Sequence, residues 1–224
     1  MSLAAFVVNN SIKQITRLLC KIDDQQIRKV PSRGPLILVS NHINFIEVPI
    51  IYTHLLPRPV TGFVKSETWD NPLMGALFDI WGGIPLRRGE ADVFALRQAL
   101  KALKNGYLLG ITPEGTRSGT GELLRGHPGV VTVALKSGAP LLPVVYYGSE
   151  LLHTNLRKLK RTDFHIIVGK PYHIDTHGEK ITRHLRQIIV DQIMYQIAKL
   201  LPPQYRGYYS DLENASEYYL NFNS

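Results

Sequence analysis

The apolar run Leu36-Ile37-Leu38-Val39 constrains the fold more than any other stretch of the chain. Gly34-Pro35 interrupts the chain before it, and the polar segment Ser40-Asn41-His42 follows it directly. A short unbroken run bounded in this way reads as a buried strand. A histidine just past a strand end stands where α/β proteins place their chemistry. Glu47 follows five residues after His42. Five residues turn through about 500° of a regular helix, so the two side chains share no face if both are helical. Pro49 suits the first turn of a helix, and residues 41–47 therefore read as a turn into it. Such a turn lets Glu47 fold back onto the imidazole. A carboxylate on one ring nitrogen fixes the tautomer and leaves the other nitrogen free to accept a proton. The pair then reads as a general base with its orienter. The alternative is a surface histidine beside an unrelated helix-start glutamate, and the spacing fits both.

Further elements follow from the same signals. Ile12, Ile15, Leu18, Leu19 and Ile22 recur at helical spacing, so residues 2–22 read as an amphipathic helix. Lys13, Arg17 and Lys21 step by four along another face of it. This helix suits either a membrane interface or a cover for the core. Cys20 falls inside it beside Leu18 and Leu19, which makes a packed thiol the preferred reading over a nucleophile. Helices are expected at about 47–56, 70–80, 90–105, 128–137 and 181–201, and strands at 60–64, 107–111, 141–147 and 164–168. Pro143 places the 141–147 strand at an edge or a bulge. The tail after residue 204 is rich in tyrosine and asparagine, weakly patterned, and reads as irregular or loosely docked.

The chain has 224 residues, enough for one substantial core. Its formal net charge of +8 favours an anionic partner: nucleic acid, or an anionic membrane and phosphate-bearing substrates. With a single cysteine no intrachain disulfide forms. No stretch approaches the roughly 18 continuous apolar residues of a membrane span, and the N-terminus lacks the basic start and cleavage site of a signal peptide. No zinc spacing, P-loop or Gly-x-Ser-x-Gly elbow is present, so neither metal nor nucleotide cofactor is called for. Gly119-Thr120-Gly121 is too short and misplaced for a dinucleotide loop. His127 is a second candidate base, but no spaced carboxylate accompanies it, so it reads as a local or phosphate-side residue.

Four blocks occur in order: Asn41-His42 with Glu47, Gly83-Ile84-Pro85-Leu86-Arg87-Arg88-Gly89, Thr112-Pro113-Glu114-Gly115-Thr116-Arg117-Ser118, and Gly138-Ala139-Pro140-Leu141-Leu142-Pro143-Val144. Together they resemble the glycerolipid acyltransferases, the 1-acylglycerol-3-phosphate O-acyltransferase family, over about residues 30–170. That family's first motif is Asn-His, four residues, then Asp. Here Glu47 replaces the Asp, and its longer side chain reaches His42 only if the turn adjusts.

The resemblance implies a role for each block. His42 is the base and Glu47 its orienter. Lys65 lies near the acceptor phosphate, or is a solvated strand-end lysine. Arg88 aligns with the acceptor-phosphate arginine, and Arg87 stands where many members carry Asp. Glu114 positions the acceptor or stabilises its loop, Gly115 permits a tight backbone, and Arg117 binds phosphate beside Thr116. The block containing Pro140 helps to build the acyl-donor side. A guanidinium fork matches a phosphate with paired hydrogen bonds.

The expected fold class is α/β: a single domain with a central mixed, mainly parallel sheet flanked by helices and preceded by an N-terminal amphipathic helix. The expected division is a membrane-proximal helix at 1–24, an acyltransferase domain at 25–201 and a tail at 202–224. The expected activity is acyl transfer from a thioester, on coenzyme A or acyl carrier protein, to a lysophospholipid, 1-acylglycerol 3-phosphate first. No cofactor, metal or nucleic acid is expected, and the place is the cytoplasmic face of a membrane, peripheral or monotopic. Rival readings are a different acyl acceptor, a thioesterase in which water replaces the acceptor, and a lipid-binding module that has lost activity. The basic run 157–161 would contact anionic lipid or lie solvated.

Overall fold

The computed structural model describes residues 2–87, 89 and 92–223, the side chain of Asp24 apart. In chain order the elements are α1 (Leu3–Leu19), β1 (Cys20–Ile22), α2 (Asp24–Ile27), β2 (Leu36–Val39), α3 (Glu47–His54), β3 (Val60–Lys65), α4 (Pro72–Ile80), β4 (Ile84–Leu86) and α5 (Val93–Lys104). They continue with β5 (Leu108–Ile111), α6 (Gly129–Ser137), β6 (Leu141–Tyr147), α7 (Leu152–Arg157), β7 (Thr162–Val168), β8 (His173–Ile174), α8 (Arg183–Leu200) and β9 (Leu220–Asn221).

Seven strands form one sheet in the order β1-β7-β6-β2-β5-β3-β4. From β6 to β4 neighbouring strands are parallel, whereas β7 runs antiparallel to β6 and β1 parallel to β7. The sheet is thus mixed and mainly parallel, with helices on both faces. Alternate residues of β2 face opposite ways. Ile37 and Val39 pack with Ala95 and Ala99 of α5, Val130 and Val131 of α6, and Ile189 and Ile193 of α8. Leu36 and Leu38 pack with Ile50 of α3, Phe78 of α4 and Trp81.

β2 sits at the centre, and the connections around it leave in opposite directions. From β2 the chain passes through α3 to β3, beyond β5; from β5 it passes through α6 to β6, on the far side of β2. Where two such connections diverge, the carboxyl ends of the strands open a crevice. The crevice lies between His42, after β2, and residues 112–117, after β5.

Side-chain and backbone caps close several helix ends. The Asn71 side chain accepts from the N–H groups of Leu73 and Met74, with Pro72 in the first turn of α4. Thr182 caps α8 through Leu185 N–H. Gly138 ends α6 in the left-handed conformation at φ 64°.

Three expectations are corrected. Cys20 is not helical: α1 ends at Leu19, and Cys20–Ile22 pairs with Thr162–Phe164 as an outer strand. Arg161 Nη2 donates to the carbonyls of Arg17 and Cys20 at 2.7 and 2.8 Å, covering the end of the helix. Pro143 is not on an edge strand, because β6 lies between β7 and β2. A residue's nitrogen and carbonyl face the same side of a strand. The Pro143 carbonyl accepts from Gly169 N–H at 2.9 Å, just past the last β6–β7 pair, Val144 with Val168. The missing N–H therefore falls where that ladder has already ended. The tail is docked, not loose. Tyr209 is buried against α8, donating to Asp191 at 2.8 Å, and β9 pairs with β8.

Candidate active site

The turn after β2 is built from side chains that replace the missing ladder. β2 stops at Val39, while β6 runs on to Tyr147. Asn41 fills the gap: its Nδ2 donates to the Tyr146 carbonyl at 2.8 Å and its Oδ1 accepts from Tyr146 N–H at 2.9 Å. His42 then emerges at the crevice. Its Nδ1 lies 3.1 Å from Glu47 Oε2. The Glu47 carboxyl also accepts from Asn44 N–H, at 3.2 Å on Oε1 and 3.1 Å on Oε2, and from Ser149 Oγ at 2.8 Å on Oε1. Asn44 Nδ2 in turn donates to the Ser149 carbonyl at 2.7 Å. Among the described residues no hydrogen bond engages His42 Nε2. An imidazole held at Nδ1 by a carboxylate and open at Nε2 can accept a proton there.

Glu114 lies beneath this turn, 2% exposed. Its Oε1 accepts from His42 N–H at 2.8 Å and its Oε2 from Leu124 N–H at 2.9 Å. Burial pushes the Glu114 carboxyl up to about 7; the two backbone N–H groups oppose this, and the Glu47 charge adds to it. Two backbone bonds complete the junction, from Ser118 N–H to the His42 carbonyl at 2.8 Å and from Gly119 N–H to the Ile43 carbonyl at 3.0 Å. The loops after β2 and β5 are therefore one unit. Gly115 sits at φ 67°, and a Cβ there would lie 3.3 Å from His127 Cδ2.

The parallel strands bring further expected residues to the same edge of the sheet. Lys65 ends β3 and Arg87 follows β4, both exposed; Thr116 and Arg117 are exposed on the loop after β5. With strands about 4.8 Å apart, β3 and β4 lie roughly 10 and 14 Å from β2. Arg87 N–H donates to Asp92 Oδ2 at 3.1 Å, which ties it to the start of α5. Arg88 lies outside the described residues. Pro140 is not brought to the site. It precedes β6 at the amino end of the parallel strands, where its carbonyl accepts from Ile37 N–H at 2.9 Å. The block's contribution to the crevice is made instead from the other end of the seven-residue strand β6, through Tyr146 and Ser149. Ser149 escaped the sequence reading because a serine after Gly148 carries no local sign of a distant carboxylate; its place just past a strand end was the available signal.

The model of the acyltransferase family matches residues 21–147 of the chain. The 1-acyl-sn-glycerol-3-phosphate acyltransferase of Bacillus subtilis is 26% identical over 164 residues, covering 73% of this chain and 80% of that protein. The chloroplastic 1-acyl-sn-glycerol-3-phosphate acyltransferase BAT2 of Brassica napus is 31% identical over 67% of this chain, which spans 45% of the plant protein. A crystal structure of the 1-acyl-sn-glycerophosphate acyltransferase PlsC from Thermotoga maritima shares the fold, with a TM-score of 0.60 at 24% identity, covering 88% of this chain and 81% of that one. The matched span runs from β1 to the end of β6 and contains His42, Glu47 and Glu114. On the strength of that match the chain belongs to the acyltransferase family.

Proposed function

We propose that this protein transfers an acyl group from a thioester to the hydroxyl of a lysophospholipid, 1-acylglycerol 3-phosphate being the first candidate. The observation that carries the reading is the 3.1 Å pairing of His42 Nδ1 with Glu47, which leaves Nε2 open at the crevice. His42 Nε2 takes the proton of the acceptor hydroxyl as its oxygen attacks the thioester carbonyl. The carbon–sulfur bond then breaks, and the thiolate recovers that proton from the imidazolium. Glu47 orients the ring and stabilises its charged form. Arg117, Arg87 and Lys65 supply cations at the same edge for the acceptor phosphate, and fixing the acceptor there aligns its hydroxyl. Relatives named for 1-acyl-sn-glycerol-3-phosphate support this choice of acceptor.

The reading includes a membrane surface. Helix α1 buries Asn9 and Thr16 and packs Ile12 and Leu19 against the core, while Leu3, Phe6, Val7 and Leu18 stand exposed. It thus packs one face on the core and turns further apolar side chains to solvent. Trp81 Nε1 donates to Asn9 Oδ1 at 2.8 Å, joining α1 to the end of α4, which exposes Leu73 and Met74. An apolar surface of this kind suits the interface of a bilayer that holds the lipid acceptor. No helix among the described residues is long and apolar enough to cross a membrane.

The test is acyl transfer from acyl-coenzyme A and from acyl carrier protein to 1-acylglycerol 3-phosphate, comparing wild type with His42→Ala. Transfer by the wild type that His42→Ala loses by about a thousandfold supports the reading, a loss inside the roughly 10²–10⁴-fold range of general-base catalysis. Equal rates in both proteins remove His42 from the mechanism.

A further inference from the structure

A second basic feature lies beside the site and plays no part in the steps above. Arg125, His127, Arg183 and His184 line a cavity of about 580 Å³ together with Gly126, Pro128 and Gln187. None of the lining residues is acidic. The volume falls in the range of about 300–1,000 Å³ typical of small-molecule sites.

The walls are held in place. Gln187 Nε2 donates to the Gly126 carbonyl at 3.3 Å and to Asp191 Oδ1 at 3.0 Å. Gly126 N–H donates to Tyr209 Oη at 3.0 Å. A Cβ on Gly126 would lie 2.7 Å from Met194 Cγ, so the backbone there is pressed onto α8. The Arg125 guanidinium stands 6.0 Å from the Tyr208 ring centroid. The C-terminal segment thus braces one arginine of the cavity. The nearest carboxylate named in these contacts, Asp191, is taken up by Tyr209 and Gln187.

Helix α8 begins against its own dipole. Arg183 and His184 occupy its first turn, which contains no acidic residue. The amino end of a helix carries partial positive charge and favours anions, not cations. Local rules are broken in this way where function requires it.

The cavity also has a defined relation to the reaction. His127 N–H donates to the Pro113 carbonyl at 2.8 Å, joining it to the loop that carries Glu114 to Arg117. Lys65 ends β3 and Arg87 follows β4, on the other side of β5 from β2 and β6. The helices α6 and α8 cover the sheet face opposite α1, α3 and α4. One basic region thus lies by β3 and β4, and another on the face turned away from the exposed apolar helices.

We infer that the Arg125–His127–Arg183–His184 cavity binds the phosphate-bearing nucleotide end of the acyl donor, coenzyme A, leaving its pantetheine arm to reach the His42 crevice. This rests on the acyl-transfer reading. Two arginines present paired donors to phosphate oxygens. A concave site of this size fits a compact polyanion better than the convex surface of an acidic carrier protein. A water-soluble donor would then approach from the side away from the lipid acceptor.

The experiment is calorimetric binding of coenzyme A to the full chain, beside steady-state kinetics with 1-acylglycerol 3-phosphate and either acyl-coenzyme A or acyl carrier protein as donor. Wild type is compared with Arg125→Ala/Arg183→Ala and with Arg125→Lys/Arg183→Lys, their unfolding midpoints serving as the folding control. The expected result is saturable binding to wild type, weakened at least tenfold in the alanine pair and partly restored in the lysine pair. The KM for acyl-coenzyme A should rise correspondingly, with the KM for the lipid acceptor unmoved. Wild type that transfers acyl groups without binding coenzyme A, equal binding by all three proteins, or a loss confined to the acceptor KM overturns the assignment. Loss of transfer only from acyl carrier protein overturns it too, in favour of a protein-docking surface. Binding needs no turnover, so wild type that binds coenzyme A but acylates no lysophospholipid sinks the proposed function and leaves the cavity's ligand standing.

Discussion

Ser149 Oγ donates a 2.8 Å hydrogen bond to Glu47 Oε1, while the other oxygen of the same carboxyl lies against His42. Ser149 is wholly buried and its carbonyl accepts from Asn44, so the serine and the turn hold each other. The longer carboxylate of this chain is thus fixed at both oxygens. A hydrogen bond to a charged group contributes about 1.5–3 kcal/mol. Ser149→Ala is therefore expected to lower kcat by about tenfold, and Glu47→Asp to lower it as well, because a shorter side chain cannot meet His42 and Ser149 together. Steady-state rates across pH check this: a merely structural serine would lower stability and leave the pH profile in place.

Glu114 carries a pH dependence of stability. Its carboxyl titrates near 4.5 in the unfolded chain and at about 7 when folded. Between these values the folded chain holds a proton that the unfolded chain has released, so stability falls as pH rises from about 4.5 to 7. At about 1.4 kcal/mol per pH unit, this one group withdraws about 3 kcal/mol over the window. Glu114→Gln should flatten that slope in denaturant titrations at pH 5 and pH 8. It should also slow transfer, since an amide offers one acceptor oxygen to two N–H groups, those of His42 and Leu124.

Gly115→Ala should destabilise the fold by about 1–2 kcal/mol, the usual cost of a left-handed residue with a side chain. The added methyl also presses on His127 Cδ2 at 3.3 Å. A thermal unfolding curve reads the first effect, and the KM for acyl-coenzyme A reads any displacement of His127.

Cys20 should resist a thiol reagent in the native chain at pH 8. It is buried, and burial pushes its thiol up to about 11 despite the Arg161 charge beside it. Reaction at the rate of the denatured chain would mean that the β1–β7 edge opens freely.

Replacing Leu3, Phe6 and Val7 together by serine should weaken sedimentation with anionic vesicles while leaving unfolding behaviour unchanged, since these side chains are exposed. Unaltered sedimentation would take α1 out of the membrane interface.

Much of the architecture was legible in the residues. The unbroken apolar run 36–39 marked β2, mixed apolar segments marked β3, β5 and β6, and apolar residues at helical spacing marked the main helices. His42 was legible because it directly follows a strand, whereas Lys65, Arg87 and Arg117 were singled out only by the family resemblance; the parallel strands then deliver their carboxyl ends to one edge. Cys20–Ile22 was read as helix because three residues carry too little periodicity to outweigh a helical pattern that precedes them. Pro143 was read as marking an edge or a bulge, and the edge alternative failed because a residue's strand neighbours are not written beside it in the chain.

The amino-acid sequence alone determined the alternation of strands and helices, the order of the four blocks and the pairing chemistry open to His42 and Glu47. Those depend on local propensity and on side-chain type. Only the tertiary structure decided that Ser149 closes on Glu47 across 102 residues, that Glu114 holds the His42 backbone instead of facing outward, and that Tyr208 and Tyr209 brace Arg125 and Gly126. Each of these contacts joins segments that become neighbours only after the sheet has set its strand order. A buried polar group takes the partner that this packing brings within reach.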